Sequence, residues 1–115
     1  MTDELAEMQA FCTELPATDP HSLQVRMIRA AGFLSRAREI RDELAHALAI
    51  AKGKAALNVP EESTPTESKA FIEAQTAEEK FRLARAESVV ESMKATVDVA
   101  RSALSFAKEE LRRLP

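Results

Sequence analysis

Ten apolar residues near the end of the chain fall on alternating steps of three and four: Leu83, Ala86, Val90, Met93, Val97, Ala100, Leu104, Ala107, Leu111 and Leu114. Charged residues fill the positions between them, among them Arg85, Glu87, Glu91, Lys94, Asp98, Arg101 and Lys108. This spacing predicts a long helix with a coiled-coil seam that needs a partner along its whole length. An earlier run, Leu23, Met27, Ala30, Leu34, Ala37, Leu44, Leu48, Ala51 and Ala55, keeps the same steps and is interrupted by Arg41. Phe33, Ile40, Ala47 and Ile50 widen that seam on one side, which predicts contact with more than one neighbour, as in a bundle.

Local signals set the boundaries. Leu5, Met8 and Phe11 or Cys12 share a face of a short helix within residues 1–15, starting at Thr2 or Asp3 and ended by Pro16. Asp19 followed by Pro20 reads as an N-cap with proline at the first helical position, opening a long helix over 20–57. Residues 58–66 contain Pro60 and Pro65 and form the inter-helix loop. The Thr64 hydroxyl is placed to cap the Glu67 amide, with the Glu67 side chain reaching back, and Thr76-Ala77-Glu78-Glu79 repeats that signature. The stretch 67–114 is therefore one helix or a helix pair broken near Thr76. The fold class is all-α: one helical domain over 1–115, a long helical hairpin with a coiled-coil seam. Two arms do not close a core, so the hairpin is expected to assemble as a helical-bundle homo-oligomer through Val90, Met93, Val97, Leu104, Ala107 and Leu111, or to take the missing helices from an obligate partner.

Composition agrees and adds little chemistry. Of 115 residues, 30% are charged and 45% hydrophobic, with no Trp or Tyr, which suits helices and leaves few strand signals. The lone Cys12 cannot form an internal disulfide and reads as a small core hydrophobe; no leader or membrane span is legible, so a cytoplasmic location is expected. His21 and His46 are far apart and read as surface residues, and the pairs Glu61-Glu62, Glu78-Glu79 and Glu109-Glu110 are adjacent and splay apart on a helix. No metal, cofactor or catalytic constellation is expected, and the chain does not read as an enzyme.

Charge is segregated. Residues 1–21 carry −5, 22–57 carry +4, 58–79 carry −5 and 80–115 carry +3, giving the net −3. In the second segment Arg26, Arg29, Arg36, Arg38, Lys52 and Lys54, with Arg41, form a candidate nucleic-acid-binding band. A solvated face is the competing reading, with Glu39 reaching Arg36 and Asp42 reaching Arg38; for Arg41 the alternatives are a bridging ion pair or an exposed functional arginine.

The layout of Lys52-Gly53-Lys54, the loop 58–66, the run from Ser68 to Glu79, and the segment Ser102 to Leu111 resembles that of phage recombination mediators of the UvsY type, over about residues 23 to 114. The resemblance implies a ring-forming oligomer that binds single-stranded DNA and helps load a recombinase in place of the single-strand-binding protein, in the host cytoplasm. It would place the DNA-contacting stretch on Lys52 and Lys54 and oligomerisation on the C-terminal helix. The chain departs from that family in its acidic net charge and in lacking aromatics after the basic stretch. The first expectation is thus a single-stranded DNA-binding recombination accessory. The alternative is a coiled-coil adaptor, phage structural protein or inhibitor acting only through protein contacts.

Overall fold

The computed structural model describes residues 3–15 and 18–114. Four helices follow in chain order: α1 (Glu4–Thr13), α2 (Pro20–Leu57), α3 (Pro65–Gln75) and α4 (Ala77–Arg112). No strand occurs among the described residues, and no helix is long and apolar enough to cross a membrane. The expected stop Pro16 and the alternative start Thr2 lie outside the described residues.

The first three helices each begin where a side chain takes up an orphan amide. Asp3 accepts the Ala6 amide at 3.2 Å, Asp19 the Ser22 amide at 2.8 Å with Pro20 behind it, and Thr64 the Glu67 amide at 3.1 Å ahead of Pro65. At the far end of α2, the Asn58 amide group donates to the Lys54 carbonyl at 3.0 Å and closes the last turn.

The α3–α4 junction corrects one expectation. Thr76 separates the two helices, as the repeated signature suggested, but its hydroxyl does not cap Glu79. Thr76 is fully buried, with φ −112° and ψ 11°, and both its amide (3.1 Å) and its hydroxyl (2.8 Å) donate to the Ile72 carbonyl. A buried hydroxyl needs an acceptor, and the carbonyl four residues back is in reach without leaving the helix.

α2 and α4 pair antiparallel. Leu23 at the start of α2 lies by Ala103 and Phe106, Arg41 by Val90, and Leu44 by Phe81 and Arg85. The two seams meet as the spacing predicts: Leu23, Ala30, Ala37, Leu48 and Ala55 of α2 are buried, as are Ala86, Val90, Met93, Val97, Ala100 and Leu104 of α4. Alanines at 0% exposure on both helices (Ala30, Ala37, Ala86) let the backbones come close, and Val89 and Met93 fill the space beside them.

The core is closed by α1, not left open. This helix lies along the α2–α4 trough, antiparallel to α2 and parallel to α4, and buries Leu5, Met8 and Phe11. Phe11 meets Phe33 edge-on with ring centroids 5.1 Å apart, Ile40 and Leu44 pack alongside, and the Cys12 sulfur lies 3.2 Å from that of Met93. Phe33 and Ile40 thus serve the second neighbour that the widened seam required, whereas Ala47 and Ile50 stay exposed. Val90, Met93, Val97 and Leu104, expected at an oligomer interface, are occupied within the chain's own core. Ala107 is half-buried and Leu111 is exposed, because α4 runs on beyond the start of α2 and, among the described residues, no helix packs over its last turns.

The result is a rod of 80 × 29 × 18 Å. Replacing Met93 by Ala is expected to cost about 2–5 kcal/mol. Gly32→Ala and Gly53→Ala, at mid-helix positions where an added methyl meets only open space, should each stabilise by up to about 1 kcal/mol. Urea unfolding followed by circular dichroism measures all three.

Candidate functional site

The basic residues singled out in α2 divide into two groups once α1 is in place. Arg26 is nearly covered, its side chain 13% exposed; the guanidinium donates to the carbonyls of Phe11 and Glu14, both at 3.2 Å, and lies 4.5 Å from the Phe11 ring centre. It thereby satisfies carbonyls that the end of α1 leaves free, where a cation also suits the helix dipole. Arg29 lies over Phe11 and Phe33, at 5.0 and 5.8 Å from their centres. Arg36 grips the Glu4 carboxylate through two nitrogens, at 2.9 and 3.0 Å, and also meets Glu39 at 3.0 Å and Glu43 at 3.6 Å. From the other side, Arg85 of α4 reaches Asp3 at 2.9 Å. Arginines from both long helices therefore hold the acidic first helix.

Electrostatics follow the geometry. The Arg85 hydrogen bond, helped by the Ala6 amide, holds the Asp3 carboxyl below its ordinary range, and the Arg36 hydrogen bond does the same for Glu4. Arg36 in turn is pushed up, first by Glu4 and then by Glu39.

Arg38, Lys52 and Lys54 are exposed and make no ion pair among the described residues. The expected partner of Arg38, Asp42, pairs instead with Arg41 at 3.2 Å, and Arg41 sits half-buried beside Glu87 and Glu91. Lys52 and Lys54 do not share a face: two residues on an α-helix are about 200° apart. Lys54 falls on the same side as Arg36, and Lys52 on the side of Arg38.

His21 and His46 are both exposed. Among the described residues, no group of three or more metal-ligating side chains converges. The cavities are open troughs. One of about 450 Å³ lies between the start of α2 and the end of α4, lined by Pro20, Leu23, Phe106, Leu111 and Leu114. Another, of about 420 Å³, lies beyond the N-terminus of α1 and is lined by Leu44, Phe81 and Arg85. Both continue the groove that α1 occupies, beyond each of its ends.

A feature that seam counting passes over lies on the outer side of α4. Phe81, Ala84, Ser88, Ser92, Ala95, Val99, Ser102 and Phe106 share one side of the helix, and every one of them is exposed and uncharged. Phe81 is 72% exposed, Val99 62% and Phe106 67%. The signal was present in the sequence as a second three-four rhythm free of charge, overshadowed by the stronger seam.

Compared with family models, curated proteins and solved structures, the chain matches none.

Because the Asp3 and Glu4 carboxyls are depressed in the folded chain, their contribution to stability is present above the ordinary carboxylate value of about 4 and is lost as pH falls through the lowered values. The urea midpoint should therefore fall on acidification from pH 6 to pH 3. The Arg36→Ala, Arg85→Ala double variant should show a flatter dependence over that range.

Proposed function

We propose that this chain is a non-enzymatic helical interaction module that works by presenting the outer side of α4 to another protein. The observation that carries this reading is the uncharged, exposed row from Phe81 to Phe106 on a helix that is otherwise densely charged. Phe81, Val99 and Phe106 stand exposed on that row, where a surface helix normally carries charge. The middle of the seam does not supply the surface, since Ala86, Val90, Met93, Val97, Ala100 and Leu104 are buried within the chain.

A second reading, the single-stranded DNA-binding recombination accessory, is favoured by Arg29, Arg38, Lys52 and Lys54, cations without an ion-pair partner among the described residues. It would draw on phosphate neutralisation, multiplied by assembly, with a recombinase and a single-strand-binding protein as partners. Arg26 and Arg36 would contribute little to it, being engaged in holding α1. The pair Lys52 and Lys54 would reach two different sides of the helix.

Titrating a labelled single-stranded oligonucleotide with the protein across a salt series, read by fluorescence anisotropy, separates the two. The interaction module is expected to give no binding at 50 mM salt. Binding that weakens steeply with log salt, and that Lys52→Glu with Lys54→Glu abolishes, would replace it with the DNA reading.

A further inference from the structure

We propose that α1 is the chain's own stand-in for a longer, acidic amphipathic helix of another protein, which binds along the α2–α4 groove and displaces it. The groove is longer than the helix that fills it. α1 has 10 residues and covers about 15 Å, whereas the α4 wall from Phe81 to Leu111 runs about 45 Å. Leu5 borders the open trough at one end of α1, and Cys12 and Glu14 border another, of about 310 Å³, at the opposite end. The latter shares Thr18, Leu23 and Ala103 with the 450 Å³ trough and so runs on to Leu111 and Leu114. Phe81, Phe106, Leu111 and Leu114 along these stretches are each more than half exposed. Over the part that α1 does cover, the floor is Phe33, Ile40, Leu44, Val89 and Met93. One continuous helix lying where α1 lies, with apolar residues at three- and four-residue steps, would reach all of these.

Charge states what kind of helix fits. With α1 lifted away, Arg26 loses Glu14 and Arg85 loses Asp3, their ion-pair partners, while Arg29 has none among the described residues and Arg36 keeps only Glu39 and Glu43. The acids that the long helices place along the groove are already paired, Glu78 with Arg82 and Glu110 with Arg113. Cations on both rims of an apolar floor select an acidic amphipathic helix. A nucleic-acid backbone offers phosphates but no aliphatic face to keep Val89 and Met93 dry. α1 shows the pattern in short form, with Leu5, Met8 and Phe11 buried, Asp3 and Glu4 at its start, and no Lys or Arg anywhere in residues 1–21. Exposed ion pairs hold that start weakly, and a helix of this length has little cohesion of its own. A competitor about three times as long gains more apolar contact than α1 gives up.

A displacement assay on the full chain tests this. The probe is a labelled synthetic peptide of about 28 residues, with Leu at three- and four-residue steps, Glu beside them, and Ala and Gln elsewhere; its counterpart carries Lys for every Glu. Binding is read by fluorescence anisotropy. Release of α1 is read by the rate at which dithiobis(nitrobenzoate) labels Cys12, whose thiol is half-buried against Met93. The Glu peptide is expected to form a one-to-one complex and to raise the Cys12 rate severalfold, while the Lys peptide does neither. Asp3→Asn with Glu4→Gln loosens α1 and leaves the groove unaltered, so it should tighten Glu-peptide binding about fivefold. No binding of the Glu peptide, binding that leaves the Cys12 rate unchanged, equal binding of the Lys peptide, or a double variant that binds no tighter would each overturn the proposal. A chain that runs at twice 12.7 kDa in light scattering and excludes the peptide would give the groove to a second copy and overturn it as well. Failure of the peptide leaves the reading of the exposed α4 row standing. Salt-dependent DNA binding removes that reading, and it overturns the groove proposal only where the oligonucleotide also raises the Cys12 rate.

Discussion

Two helices cannot bury all of a seam that is wider than one contact line, and the fold of this chain is governed by how that shortfall is met. The α2–α4 pair covers the alanine-rich centre of each seam, but Phe33, Ile40, Leu44, Val89 and Met93 spread beyond it. A third helix is needed over that stretch, and α1 supplies it with Leu5, Met8 and Phe11. Burying side chains of this size stabilises on the order of 1.5–3 kcal/mol each. A ten-residue helix is too short to persist alone in water, so α1 depends on the trough for its existence. The trough in turn depends on α1 to keep Met93 and Val89 dry.

Charge has a positional role in this arrangement. The acidic beginning of the chain and the basic long helix, far apart in composition, turn out to be complementary surfaces in contact. Arg26 fixes the end of α1 through carbonyl groups, while Arg36 and Arg85 fix its start through Glu4 and Asp3. The ion pairs are solvent-exposed and each contributes little energy. Their value is direction and register, since a helix held at both ends by opposite partners cannot slide or reverse without losing them. The same contacts divide what looked like a continuous positive band.

The two long sides of α4 then have different fates. One side is the core; the opposite one is an uncharged row open to solvent. Natural helices on a protein surface normally carry charge on the side away from the core, and α4 does so only on its flanks. That contrast, more than any single residue, is what the proposed reading of α4 rests on.

Periodicity and caps by themselves determined the elements. Three- and four-residue steps gave both long helices and their seams, and Asp19-Pro20 and Thr64-Pro65 gave two helix starts, because these signals act over one or two turns of backbone; the second threonine signature left one helix or two open, and the buried Thr76 decides for two. Only the tertiary structure decided what each seam touches. Val90, Met93, Val97 and Leu104 pack identically in pattern whether the opposing helix comes from the same chain or another, so spacing could not say that α1 and α2 would occupy them. The arginines were equally ambiguous: a guanidinium is the same group over a phosphate or over the carbonyls of Phe11 and Glu14, and its partner is set by which helix end the fold brings within 3.2 Å. Sequence fixes local hydrogen bonding and the side of a helix on which a residue falls; which two surfaces meet depends on how the whole chain packs.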